Sequence, residues 1–193
     1  MVAFKFAATL FLAISLAAAH PINEQLVGRQ LPSQVVTTTS SYQKLTSEIS
    51  QLQESISSGG ISRSEARQKM EAIYSSATQT LSTAGSCGAC WGSGAVNNVS
   101  SSASQTYQAF SRLAQTVNQV YGDAAPDVFS PVARLDPLIN QNLNKFSQSG
   151  AAINSFLPQG GQAFGRLGLW QTANFANQFS SNSQSGTNFR TGF

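Results

Sequence analysis

Histidine is almost missing from this 193-residue chain: His20 is the single copy. Cysteine occurs twice, and charged residues make up 10% of the sequence, against about a quarter in ordinary soluble domains. Each shortage excludes something. Without a histidine in the working part of the chain, the many serines have no imidazole base to activate them, and no G-x-S-x-G elbow appears. Two cysteines supply half the four ligands of a structural zinc site, so no metal and no cofactor is expected. Beyond the first sixteen residues no apolar run approaches the roughly 20 residues that cross a bilayer. The closing Asn188-Phe189-Arg190-Thr191-Gly192-Phe193 is also too polar for a lipid-anchor signal.

The one long apolar run lies at the start. Lys5 gives a positive n-region, Phe6 to Leu16 is a short apolar core, and Ala17-Ala18-Ala19 supplies small residues for cleavage. Residues 1–19 therefore read as a secretory signal, and 20–29, ending at Gly28-Arg29, as a pro-segment that takes His20 with it. Secreted fungal precursors cut by a kexin-like protease resemble this start. The expected location is extracellular or at the cell wall, the mature chain soluble and free of a transmembrane segment.

Of eleven Lys and Arg, Lys5 and Arg29 leave with the leader, as Glu24 does among eight Asp and Glu. The remaining excess is small. Arg63, Arg67 and Lys69 alternate with Glu65 and Glu71 and read as local pairs on a solvated helix, not as the clustered basic stripe that tracks phosphates, so no nucleic-acid partner is expected.

Apolar residues at Val35, Tyr42, Leu45, Ile49, Leu52 and Ile56, with Thr38 in the gap, advance by threes and fours and predict one amphipathic helix. Ser57-Ser58-Gly59-Gly60 stops it. Ser62 and Glu65 form an S-x-x-E capping box that starts a second helix with Ala66, Met70, Ile73, Ala77 and Leu81 inward. After the break from Gly85 to Gly94, Val96, Val99, Ala103, Tyr107, Phe110, Leu113, Val117 and Val120 make a third stripe, ending near Gly122. A fourth helix begins between Asp127 and Pro137, where prolines follow Asp or Ser caps, and carries Leu135, Ile139, Leu143, Phe146, Ile153 and Phe156, with Gly150 its weak point. The expected fold is all-α: a four-helix up-down-up-down bundle over residues 33–157. Residues 158–193 are a Gly/Asn/Gln/Phe-rich tail, partly disordered, in which the aromatic stretch either docks on the bundle, as a short helix from Leu167 to Phe179, or serves as an interaction surface, or is disordered; order is expected to fail from Ser180.

Cys87-Gly88-Ala89-Cys90 is the one motif that suggests a mechanism. A redox C-x-x-C follows a strand and opens a helix in a βαβ setting, which this helical sequence lacks. A local disulfide is expected instead, with Trp91 packed over the ends of helices two and three. Asn98-Val99-Ser100 is the N-glycosylation sequon, so Asn98 is a candidate for a glycan. Glu65 with Glu71 and Asp123 with Asp127 lie at helix starts, where capping and dipole effects account for them.

The Ser/Thr-rich, charge-poor helices, with Ser130-Pro131-Val132 through Leu135, Leu138, Leu143, Lys145, Phe146 and Gly150, resemble the later helices of the fungal hydrophobic-surface-binding and cell-wall mannoprotein family. Cys87, Cys90 and the aromatic tail depart from that pattern. The resemblance implies a secreted helical protein and transfers no functional residue. The expected function is non-enzymatic binding, to cell wall, an apolar surface or an unidentified protein partner. Two alternatives stay open: a carrier holding a lipid or other apolar ligand among Tyr107, Phe110, Phe146 and Phe156, and a thiol-disulfide protein using Cys87 and Cys90.

Overall fold

The computed structural model describes residues 31–92, 94–152, 156 and 161–185, the last with backbone alone at 161–163 and 179–185. The leader, the pro-segment, Ile153, the Pro158–Gly160 boundary and the final residues lie outside it. The described residues are helical, with no strand among them. They form α1 (Ser33–Ser57), α2 (Arg63–Ser86), α3 (Ala95–Tyr121), α4 (Ala125–Ala133), α5 (Asp136–Gln148), α6 (Gly161–Arg166) and α7 (Trp170–Ser185).

Helix α1 buries Val35, Thr38, Tyr42, Leu45, Ile49, Leu52 and Ile56, the full predicted stripe. Helix α2 begins with the complete capping box. Ser62 Oγ accepts from the Glu65 amide at 3.3 Å, and the Ser62 amide donates to the Glu65 carboxylate at 2.8 Å. These bonds, backbone first, hold the Glu65 carboxyl below the usual carboxylate range.

Side-chain ties fix the direction of each limb. Thr106 of α3 donates to the Tyr42 carbonyl of α1 at 3.1 Å, and further along Tyr121 donates to the Ile61 carbonyl at 3.4 Å, so α1 and α3 run in the same direction. Helix α2 runs back along α1. Arg63 and Arg67 both reach Asp127, Arg134 reaches Glu71, and Asn142 donates to the Leu81 carbonyl at 3.2 Å, which aligns α2 with α4 and α5. Successive limbs therefore alternate in direction. The ion pairs on α2, however, run across to α4 and not locally along the helix; they are about half exposed and add little stability.

Helix α3 is buried more broadly than its apolar stripe predicts: Ser102, Ser104, Thr106 and Ser111 are inside along with Ala103, Ala109 and Ala114. Small side chains let neighbouring backbones approach. At the α1 contact the Thr46 and Thr106 hydroxyls meet at 2.7 Å.

The expected single fourth helix is two. Proline has no amide proton, so Pro137 cannot bond the carbonyl one turn back, and the limb breaks at Arg134–Leu135 between α4 and α5. Pro131 sits inside α4, yet that helix continues: the Ser130 hydroxyl bonds the Asp127 carbonyl at 2.9 Å, taking the place of the missing amide. Helix α5 then ends at Gln148, because Gly150 adopts φ +78°, a left-handed turn that favours glycine. Phe156 therefore lies beyond the helix but is still buried. Gly168, at φ +90°, divides α6 from α7, and α7 continues to Ser185, past the expected limit of order.

Asn142 joins three limbs. Its amide donates to the Leu81 and Leu138 carbonyls and its oxygen accepts from the Tyr42 hydroxyl at 3.4 Å, with both side chains buried. Asn142→Ala is expected to destabilise the protein by about 2–3 kcal/mol, since it removes the side-chain bonds that join three limbs and leaves the Tyr42 phenol without its acceptor in the core, while Tyr42→Phe costs about 1 kcal/mol; urea unfolding followed by circular dichroism measures both.

The depressed Glu65 carboxyl gives stability that is present above the unfolded-state carboxylate pKa and is lost as pH falls through the lower folded value. In an NMR titration Glu65 should hold its charge to lower pH than it does once Ser62→Ala removes the hydroxyl of the box, and Glu65→Gln should shrink the acid-side loss of stability. An unchanged Glu65 titration in Ser62→Ala would contradict the capping account.

Candidate functional site

The cysteine turn is where the predicted site residues converge. Helix α2 ends at Ser86, a single 3-10 turn spans Gly88–Trp91, and α3 begins at Ala95. Cys87 and Cys90 are joined as a disulfide with Cα atoms 5.4 Å apart, and both are buried. Trp91 meets Phe146 edge to face at 5.0 Å, Phe146 meets Phe156 at 5.1 Å, and Phe156 meets Tyr107 at 5.8 Å. Three of the four candidate ligand-lining residues thus stack on one another and on Trp91. Phe110, the fourth, is buried one turn further along α3. Tyr107 is buried beside Tyr42; loss of water pushes both phenols up, and the neighbouring Tyr42 pushes Tyr107 further in the same direction.

Lys145 closes this end. Its ammonium bonds the Gly85 carbonyl in the last turn of α2, where the helix dipole favours a cation, and lies 5.7 Å from the Trp91 ring. Asn98 is exposed on the first turn of α3, open to the solvent. Among the described residues no group of three or more His, Cys, Asp or Glu could hold a metal, and no helix is long and apolar enough to cross a membrane.

Two clefts open at the surface of the described chain. One of about 230 Å³ lies between the start of α1 and the disulfide, lined by Ser33, Gln34, Thr37, Thr38, Thr83 and Cys87 among others. The second, about 140 Å³, lies between α1 and α2 against Leu45, Glu48 and Thr80. Both are lined largely by hydroxyl and amide groups, and neither touches Tyr107, Phe110, Phe146 or Phe156.

A second constellation holds the tail. Asp136, which precedes Pro137 and was expected to cap its own helix, turns its carboxylate toward α7. It accepts from the Gln171 amide at 2.7 Å, the Thr172 amide at 2.8 Å and the Thr172 hydroxyl at 2.7 Å, and is itself buried. The residue before α7 is Leu169, which has no side-chain acceptor to offer the free amides of the first turn. Asp136 supplies it from another helix. That missing local cap is the one sequence signal that could have pointed to a distant partner. Phe164, Leu167, Leu169, Ala173, Phe175 and Ala176 join the core below.

Asp136→Asn places an N–H against a helix terminus that needs an acceptor. It is expected to raise hydrogen exchange of the α7 amides by at least about tenfold, the equivalent of roughly 1.4 kcal/mol, while α1 to α3 remain protected. Mass-spectrometric exchange read by peptide checks this, and unchanged α7 protection would refute the capping role.

Residues 36–123, which span α1, α2, the cysteine turn and α3, match the family model described as infection structure-specific protein 24-like, a fungal family. The matched region contains Cys87 and Cys90, the features set apart from the hydrophobic-surface-binding resemblance, and stops before the stretch from Ser130 that carries it. No curated protein and no solved structure matches the chain. The helical segment bearing the cysteine turn is thus similar to a fungal family named for infection structures.

Proposed function

We propose that this chain is an exported, non-enzymatic fungal protein that acts by binding through its outer surface, on a scaffold whose four limbs work as a helical bundle. The family similarity supports a place among proteins of infection structures. The leader read from Lys5 to Ala19 supports export, and the charge-poor helices support contact with uncharged material and not with nucleic acid.

The observation that carries this reading is the filled aromatic interior. A carrier would need Tyr107, Phe146 and Phe156 to stand apart around a ligand. They stack on one another instead, at centroid separations of 5.1 and 5.8 Å, and are buried. The thiol-disulfide alternative needs an accessible sulfur for exchange, whereas Cys87 is 4% and Cys90 0% exposed. Both lines of support leave the exterior as the working part.

Native mass spectrometry of the protein collected from its own culture medium tests the proposal. The expected mass is that of the processed polypeptide, with or without a glycan at Asn98, and with no stoichiometric apolar ligand. A retained lipid would overturn the reading in favour of a carrier, and failure to find the chain outside the cell would overturn export.

A further inference from the structure

The exposed side of α7 is unlike the rest of the surface. Thr172, Ala173, Phe175 and Ala176 point into the protein, leaving Trp170, Gln171, Asn174 and Gln178 exposed on the other side. Trp170 is 65% exposed, the most open of the large apolar side chains described. Its six-membered ring lies beside α6: a Cβ on Gly165 would be 3.7 Å from it. The amides continue onto the next helix. Asn140 of α5 donates to the Gln171 side-chain oxygen at 3.3 Å, and Asn144 donates to the Asn140 side-chain oxygen at 3.4 Å.

Charge is sparse around this strip: Arg166 is exposed at the end of α6, and nothing charged follows it along α7. From Leu167 to Phe189 the sequence has no Asp, Glu, Lys or Arg. The nearest carboxylate, Asp136, is buried beneath α7 with its oxygens occupied, and Lys145 is turned to the Gly85 carbonyl. A phosphate polymer or an anionic lipid surface would call for a cluster of cations here, where Arg166 stands alone. A helical protein partner would call for a row of apolar anchors three and four residues apart, where this strip has one indole. An exposed aromatic side chain bordered by amides, each both donor and acceptor, matches a partner with flat C–H faces edged by hydroxyls.

We infer that Trp170 and the Gln171–Asn140–Asn144 amide row form a docking strip for a neutral polysaccharide, the indole lying against a sugar ring and the amides bonding its hydroxyls. This inference rests on the reading of the chain as an exported binding protein and names the surface and partner class. Asp136 belongs to the same device, since the carboxylate that caps α7 also fixes the turn bearing Trp170. A single stacking residue makes a weak site in isolation. A repeating polymer offsets this by presenting many equivalent rings to each molecule.

The test is depletion of the mature protein from solution by insoluble β-1,3-glucan and, separately, by chitin. Wild type should be depleted by at least one of them, with the same apparent affinity in 0.05 and 0.5 M NaCl, because no ion pair is involved. Trp170→Ala should weaken retention by about tenfold, the size of effect one aromatic contact carries, whereas Trp170→Phe should restore much of it. Val36→Ala removes an exposed apolar side chain elsewhere and should change nothing. Which polymer retains the protein identifies the sugar.

Two results overturn the inference: no depletion by either polymer, or Trp170→Ala retained as well as wild type with its helix content intact. Polystyrene beads separate this failure from that of the broader reading. Adsorption to the beads without affinity for polysaccharide sinks the strip and leaves a surface-binding protein. A lipid found in native mass spectrometry sinks both.

Discussion

The obligation to pair buried polar groups organises this molecule, and α5 is where it is met. One side of that helix turns Asn142 into the core, where its amide satisfies backbone carbonyls of two helices and receives the Tyr42 phenol. Another turns Asp136 toward the tail, where it receives three donors at the head of α7. Hydrophobic burial alone is non-directional; helices with similar apolar stripes could slide or rotate against one another. A buried amide that finds its partners in one register removes that freedom, because any shift leaves donors and acceptors stranded. The limbs and the tail are thus positioned by the same helix.

Backbone accounting explains the breaks equally well. Three prolines enter the fourth limb, and each is resolved differently. Pro126 lies in the first turn, where an amide proton is not needed. Pro131 keeps its helix because Ser130 satisfies the carbonyl that would otherwise lose its donor. Pro137 has no such substitute, and there the helix ends and restarts. A kink in this limb gives α5 an axis of its own, free to meet α7 with one side and α2 with another.

Much of this was legible in the residues. The α1 stripe, with Thr38 in its vacant place, appears as read, because a run of threes and fours states its own buried face. The Ser62–Glu65 box fixed the start of α2 for a local reason, three residues apart. The similarity to a fungal family agrees with the fungal character read from the leader and the charge-poor helices. What failed to show was non-local. Asp136 read as a cap for the helix beside it, since nothing in the neighbourhood of Pro137 indicates a helix thirty-five residues later. Arg63 and Arg67 read as partners of nearby glutamates, though Asp127 lies across the groove. Phe156 read as the end of a long helix, until the left-handed turn at Gly150 took the chain out of it. The strip around Trp170 was invisible as such, because a sequence of amides and aromatics does not say which of them the fold turns outward.

The ties between the long limbs consist mainly of groups that carry no charge at any ordinary acidity: the Thr46–Thr106 hydroxyl pair, Thr106 on the Tyr42 carbonyl, Asn142 on Leu81, and phenols held neutral by burial. Ion pairs are confined to the outside, where water already screens them. Limb-to-limb cohesion is therefore nearly indifferent to proton and salt concentration. Such a scaffold would present the same shape whether the water around it is acidified, mineral-rich or dilute.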